Sequence, residues 1–133
     1  MDELIKKKLQ TIILKSERSL RIADGLINQG DYDVACSRAY YCAFYIMEGL
    51  LITKGLEFSK HSSVMGAFNK YFIHSGEFPK DLSKKVNNLF GQRQIADYDF
   101  EEIITEEMAL EDIEIARTIL DDGKKYLLDN GFM

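Results

Sequence analysis

Little in this chain can interrupt a helix. Proline, the strongest breaker of helix interiors, occurs once in 133 residues, as Pro79. Cysteine is nearly as scarce. Cys36 and Cys42 lie six apart in one predicted helix, an offset that puts them on different faces, so they cannot pair with each other. No CxxC is present, and two distant histidines do not complete a zinc set, so neither a metal site nor a disulfide is expected. Long apolar runs are missing too. The longest uncharged one covers residues 39–47, whereas a membrane-spanning helix needs about 20 residues. The opening MDELIKKKLQ mixes acids with lysines and has no apolar core behind it, unlike a signal peptide. A cytoplasmic protein with one domain over residues 1–133 is the expectation. The phosphate-loop, dinucleotide-binding and zinc-protease patterns GxxxxGK[ST], GxGxxG and HExxH are absent, as is the GxSxG elbow. No cofactor is expected.

Net charge is −5, unevenly spread. Residues 1–21 carry net +3, residues 22–98 balance, and residues 99–133 carry net −8. Extended duplex DNA binding needs a broad basic stripe, which is lacking. A small local phosphate site remains compatible with this distribution. The acidic C-terminal segment reads as a solvated face or as a surface for a basic partner.

What is present is helical periodicity. Ile5, Leu9, Ile12, Ser16, Leu20, Ala23 and Ile27 advance by three or four, giving one amphipathic helix closed by Gly30. Asp31 is placed to cap a second helix over about residues 32–54, whose middle is apolar on every face and must be covered on all sides. A third helix starts at Ser59 or Ser62, with the stripe Val64, Ala67, Phe68, Tyr71 and Phe72, and Ser75-Gly76 closes it. Pro79 suits the start of a fourth, with Leu82, Val86, Leu89 and Phe90 inward. Gly91 predicts a kink or break there, just before Arg93. Thr105 caps a fifth, whose core face is Ala109, Ile113, Ala116, Leu120 and Leu127. No segment shows the period-two alternation of a half-buried strand. The expected fold is all-α, an antiparallel up-and-down bundle of about five helices.

Chemistry concentrates in Arg93-Gln94-Ile95-Ala96-Asp97-Tyr98. If the helix continues through this stretch, Arg93 and Asp97 share a face. A guanidinium held by a carboxylate beside a phenol can bind phosphate or serve acid/base chemistry, and it can equally be an ordinary intrahelical ion pair. Arg38, at the start of the tyrosine-rich run, either snorkels to the surface or lines a polar pocket. His61 could touch a phosphate, act as a base, or simply hydrogen-bond locally. His74 stands near a helix end, where its default role is electrostatic.

Gly30-Asp31-Tyr32, Ser37-Arg38-Ala39-Tyr40-Tyr41, Phe44-Tyr45, Lys60-His61-Ser62 and residues 93–99 occur in this order at distances that resemble the HEPN domain family, in its small stand-alone prokaryotic branch. The resemblance covers about residues 5–128. It implies a helical bundle and a homodimer whose motifs line a shared cleft. It also implies pairing with a minimal nucleotidyltransferase in a toxin–antitoxin or defence system. Many members are metal-independent ribonucleases in which a histidine follows the arginine by four to six residues. Here no residue from Gln94 to Asp99 is histidine, and Tyr98 takes that place. A free phenol has a pKa near ~10 and is a poor base at neutral pH.

The leading expectation is a HEPN-domain protein that binds a nucleotide or RNA phosphate. Arg93 would hold the phosphate, Asp97 would orient Arg93, and Tyr98 would stack on or hydrogen-bond the ligand. Arg38 would assist in binding. A ribonuclease using Arg93 with Tyr98 or His61 as catalytic residues is the rival reading, and a non-catalytic dimeric adaptor the third. From the family pairing follows a further possibility, that Tyr98 is the hydroxyl a partner nucleotidyltransferase modifies with AMP.

Overall fold

The computed structural model describes residues 2–133, and among these it contains helices and no strand. The elements are α1 (Glu3–Asn28), α2 (Tyr32–Ile52), α3 (His61–Phe68), a π-helical turn (Asn69–Ile73), α4 (Asp81–Tyr98) and α5 (Glu106–Asp129). Asp2 caps α1 by accepting from the Leu4 amide at 2.9 Å. Helix α1 ends where Gly30 takes φ +78°, and the Gly30 and Asp31 amides donate back to the Ile27 and Leu26 carbonyls at 3.1 Å. This left-handed cap is what glycine allows at no steric cost. The short connection turns the chain straight into α2. Asp31 occupies the cap position of α2 but makes no side-chain cap bond. Thr105 caps α5 as expected, accepting from the Met108 amide.

Helix α2 is the axis of the fold. It packs against α1, α3, α4 and α5, while α1 also touches α5. Its apolar run is therefore covered within one chain. Of residues 39–47 only Tyr41 and Tyr45 remain partly exposed. The number of apolar faces on α2 thus gives no separate reason for a second subunit.

Two boundaries differ from expectation. The third helix begins at His61 with neither serine capping it, and its last turn widens into the π-helical segment, where the His74 amide reaches the Asn69 carbonyl at 2.9 Å. Helix α4 runs unbroken through Gly91 to Tyr98. Gly91 costs this helix only its intrinsic propensity, about 1 kcal/mol. Leu82, Val86 and Leu89 before it and Arg93 after it are all buried, so the helix is anchored on both sides.

No helix among the described residues is long and apolar enough to cross a membrane.

Candidate functional site

The inward positions of α4 run Leu82, Val86, Leu89, Arg93, advancing by four, three and four. Arg93 therefore occupies the next core position of an apolar stripe, and only 8% of it is exposed. A buried guanidinium needs partners for its charge and its donors. Helix α2 supplies most of them. Arg93 Nη2 donates to Tyr41 Oη at 2.9 Å. Its Cζ lies 5.3 Å from the Tyr40 ring centre and 5.5 Å from that of Tyr41. From its own helix, Asp97 Oδ2 approaches Nε to 2.9 Å, and the Tyr98 ring stands 5.3 Å from Cζ. The Nε–H is not aligned on that oxygen and has no hydrogen-bond acceptor, so the Asp97 contact is one of charge. Ser37 Oγ donates to the same oxygen at 3.3 Å. Burial disfavours the Arg93 charge, but Tyr41, Tyr98 and Asp97 outweigh it and the pKa is raised.

Arg38, one residue beyond Ser37, sets its Cζ 5.0 Å from the Tyr41 ring centre. Two guanidiniums thus converge on one phenol. Among the described residues only Asp97 is in ion-pair contact with either of them. The cluster carries a surplus positive charge, and Arg38 is only half-buried.

His61 joins from α3. It stacks on Phe44 with ring centres 4.1 Å apart, and its Nδ1 lies 2.9 Å from Tyr40 Oη. Burial first, and Arg93 second, lower its pKa, so the ring is neutral at pH 7. Burial raises that of Tyr40. A buried phenol that keeps its proton, with His61 as its hydrogen-bond partner, donates to Nδ1. By that assignment the imidazole carries its own hydrogen on Nε2, and its basic lone pair is already engaged.

The structure therefore brings together Arg38, His61, Arg93, Asp97 and Tyr98, drawn from three helices. Tyr98 lies at the rim, 62% exposed. His74 stays apart, 3.3 Å from the Asn69 amide nitrogen. Tyr40, Tyr41 and Ser37 were visible only as part of a motif, and their contacts needed the fold. A further group was missed. Asp112 of α5 is fully buried, and with its amide nitrogen turned toward α5, Gln92 donates to both Asp112 oxygens at 2.7 and 3.0 Å. Burial lifts the Asp112 pKa to about 7, while a hydrogen bond from Cys36 pulls the other way.

An all-helical fold with arginines gathered over a tyrosine-rich central helix defines a class, and sequence comparison names it. The HEPN domain profile matches residues 9–126, and the chain belongs to the HEPN domain family. It is 36% identical over 133 residues to a protein named "Putative toxin MJ0142" from Methanocaldococcus jannaschii, covering all of this chain and 90% of that one. A UPF0332 protein of Thermotoga maritima is 40% identical over 95 residues, 71% of this chain and 72% of its own length. Among solved structures, ST0689, described as an archaeal HEPN homologue, superposes with a TM-score of 0.71 at 26% identity, covering 90% of this chain and 97% of that one. TT1696 from Thermus thermophilus shares the fold at TM-score 0.76 and 22% identity, covering 89% and 97%. The chain is thus a HEPN-domain protein related to proteins named as toxins.

Proposed function

We propose that this single-domain protein binds the phosphate of a nucleotide or RNA as one half of a toxin–antitoxin or defence pair. The observation that carries the reading is the convergence of Arg38 and Arg93 on Tyr41 with only Asp97 to balance them. Two guanidiniums held by packed aromatic rings form a preorganised anion receptor. Arg38, less buried, makes the outer contact, and Arg93 the inner one. Asp97 orients Arg93, and Tyr98 lies over the ligand from the rim.

The working unit in this reading is a homodimer. Phe100, 98% exposed, and Ile103, 85% exposed, directly follow the site, and a second copy would cover them. A partner nucleotidyltransferase would find the Tyr98 hydroxyl accessible. AMP attached there would bring bulk and negative charge to the phosphate site and close it.

Calorimetric titration with a 5′-phosphorylated short RNA tests the binding. Arg38→Met and Arg93→Met keep the apolar stems and remove the charges. Each is expected to weaken binding at least tenfold, since hydrogen bonds to charged groups contribute about 1.5–3 kcal/mol. Unchanged affinity in both would overturn the reading.

One observation favours a ribonuclease as the second reading: a neutral histidine stands within 2.9 Å of Tyr40, which itself lies under Arg93. Catalysis by His61 as a base would require the Tyr40–His61 bond to reverse. Incubation of RNA with the protein in EDTA separates the two. Robust cleavage by wild type, lost in both Arg93→Ala and His61→Ala, establishes the enzyme instead of the binder.

A further inference from the structure

Among the described residues Asp112 is the only buried carboxylate, and the phosphate site does not use it. From α5 it reaches two other helices. Gln92 of α4, with its nitrogen toward α5, donates to Oδ2 at 2.7 Å and to Oδ1 at 3.0 Å, and Cys36 of α2 is the other hydrogen-bond partner. The chain neighbours of both partners belong to the arginine cluster. Ser37 follows Cys36 and donates to Asp97, and Arg93 follows Gln92 and pairs with Asp97. Two carboxylates therefore join α2 and α4 at consecutive residues. Asp97 does so at the edge of the site, Asp112 beneath it. The Cys36 thiol lies within the field of both, since each raises its pKa.

The Gln92 amide can face Asp112 in two ways. With nitrogen toward the acid, both short contacts suit an ionised carboxylate, which only accepts. With oxygen toward the acid, the same contacts suit a protonated one, whose O–H donates to the amide oxygen. Either state of Asp112 thus keeps a hydrogen bond to α4. The remaining surroundings do not fix its charge. Burial keeps Cys36 protonated, and no cation is paired with Asp112 among the described residues. Glu111 on its own helix and Asp33 of α2, which acts on Cys36, are further acids. The α1 side chains packed against Cys36 and its neighbours are Leu26 and Ile27, both apolar.

We infer that Asp112 is a proton-binding site coupled to the arginine cluster, so that an anion at Arg38 and Arg93 and a proton on Asp112 each favour the other; the inference rests on the phosphate reading proposed above. Reversal of the Gln92 amide holds α4 in both states, so charge, not position, is what changes. With Asp112 neutral, two guanidiniums face one carboxylate, Asp97. With Asp112 ionised they face two, and the surplus that attracts the anion is cancelled. Coupling between two sites is reciprocal: the anion must raise the affinity of Asp112 for its proton by the same factor. Burial places this titration at about 7. Anion binding is therefore tighter below neutral pH and weaker above it. His61 titrates lower, because burial and Arg93 depress its pKa.

The test is calorimetric titration with a short RNA lacking a terminal phosphate, whose charge does not change between pH 6 and 8. Runs in two buffers of different protonation enthalpy read affinity and proton uptake together. Wild-type affinity should fall about fivefold or more from pH 6 to pH 8, the lower end of ordinary coupling between sites, with net proton uptake on binding at pH 7. Asp112→Asn keeps the shape and removes the charge. It should bind at pH 8 as tightly as at pH 7, without proton uptake at pH 7. Any uptake it shares with wild type at lower pH belongs to His61. Gln92→Met takes away the donor that favours the ionised acid, so the decline should move to higher pH. Wild-type binding with neither decline nor uptake, or an Asp112→Asn variant that keeps both, overturns the coupling while the phosphate site stands. If urea unfolding shows that Asp112→Asn has lost the fold, Gln92→Met decides, and an unmoved decline overturns the coupling. Failure of wild type to bind RNA at any pH overturns the phosphate reading and the coupling with it.

Discussion

Helix α2 has two flanks built from the same apolar run, and they behave in opposite ways. Toward α5 the contact is closed by small residues. Ala43 and Ala116 are fully buried, and a Cβ added at Gly123 would collide with Ile46 Cγ2. Toward α4 the residues are large. Tyr40 and Tyr41 occupy the contact, and the space between the helices holds a guanidinium in place of a methyl group. An apolar helix surface therefore does not determine what packs on it. The size of the facing residues decides whether backbones meet or a polar chamber is left between them.

The largest expected effect comes from Asp112, the buried acid that faces both flanks through Cys36 of α2 and Gln92 of α4. Its pKa rises from 3.8 to about 7 through burial. Between these values the folded protein keeps a proton that the unfolded chain has lost. Stability should therefore fall as pH rises through this window and level off above it. His61, with its lowered pKa, contributes with the opposite sign. Urea unfolding of wild type and Asp112→Asn at pH 4.5 to 8 isolates the first contribution. The variant should lose the decline and match or exceed wild type at pH 8. Parallel pH profiles would show that Asp112 stays ionised in the fold.

The closed flank is probed by two glycines. Gly123→Ala adds a methyl group where Ile46 already stands, and overpacking by about 1–3 kcal/mol should outweigh the helix-propensity gain of about 1. Gly91→Ala, in a helix interior with nothing within 4 Å of the added carbon, has only the gain and should stabilise. Thermal unfolding of both variants checks the contrast. A stabilising Gly123→Ala would mean that α5 slides easily over α2.

The smallest effect concerns Asp97. Its pair with Arg93 has the same four-residue spacing as Asp81 and Lys85 at the start of α4, but side-chain exposures are 27% and 10% against 69% and 46%. Asp81→Ala should change nothing measurable, as for most exposed pairs. Asp97→Ala should leave Arg93 bound to Tyr41 and weaken RNA binding several-fold, because the guanidinium loses its orienting partner. Equal RNA affinity of wild type and Asp97→Ala would remove Asp97 from the site.

The fold was legible because periodicity reports burial directly. The α1 stripe, the Gly30 cap and the Thr105 cap are local features, and each stands where the pattern put it. Glycine propensity misled at Gly91, where buried Leu89 and Arg93 hold the helix on both sides. The stripe of α4 ends in an arginine, and a charged residue looks like the end of a buried face until the aromatic rings that receive it are known. Asp112 escaped for the same reason. The convergence of Arg38 and His61 on the Arg93 cluster depends on contacts between residues 21 and 52 positions apart, such as Tyr40 with His61 and Tyr41 with Arg93. No spacing rule within one helix encodes those. The π-helical turn has no sequence signature in this stretch.

Exposed Phe100 has a consequence for how the chain can be cut. It sits in the non-helical segment between α4 and α5, where the Asp99 carboxylate holds the amides of Glu101 and Glu102 and few other bonds tie the backbone down. In the single chain, a protease that cleaves after aromatic residues finds here a projecting side chain on an accessible stretch of main chain, the setting in which nicking concentrates, whereas a second copy covering Phe100 would shield it. A cut at this point leaves every arginine of the cluster on the larger fragment and frees only the helix that Gly123 presses against α2. Whether the nicked protein keeps its ligand then reports how much of the arginine cluster's geometry is maintained from across the molecule.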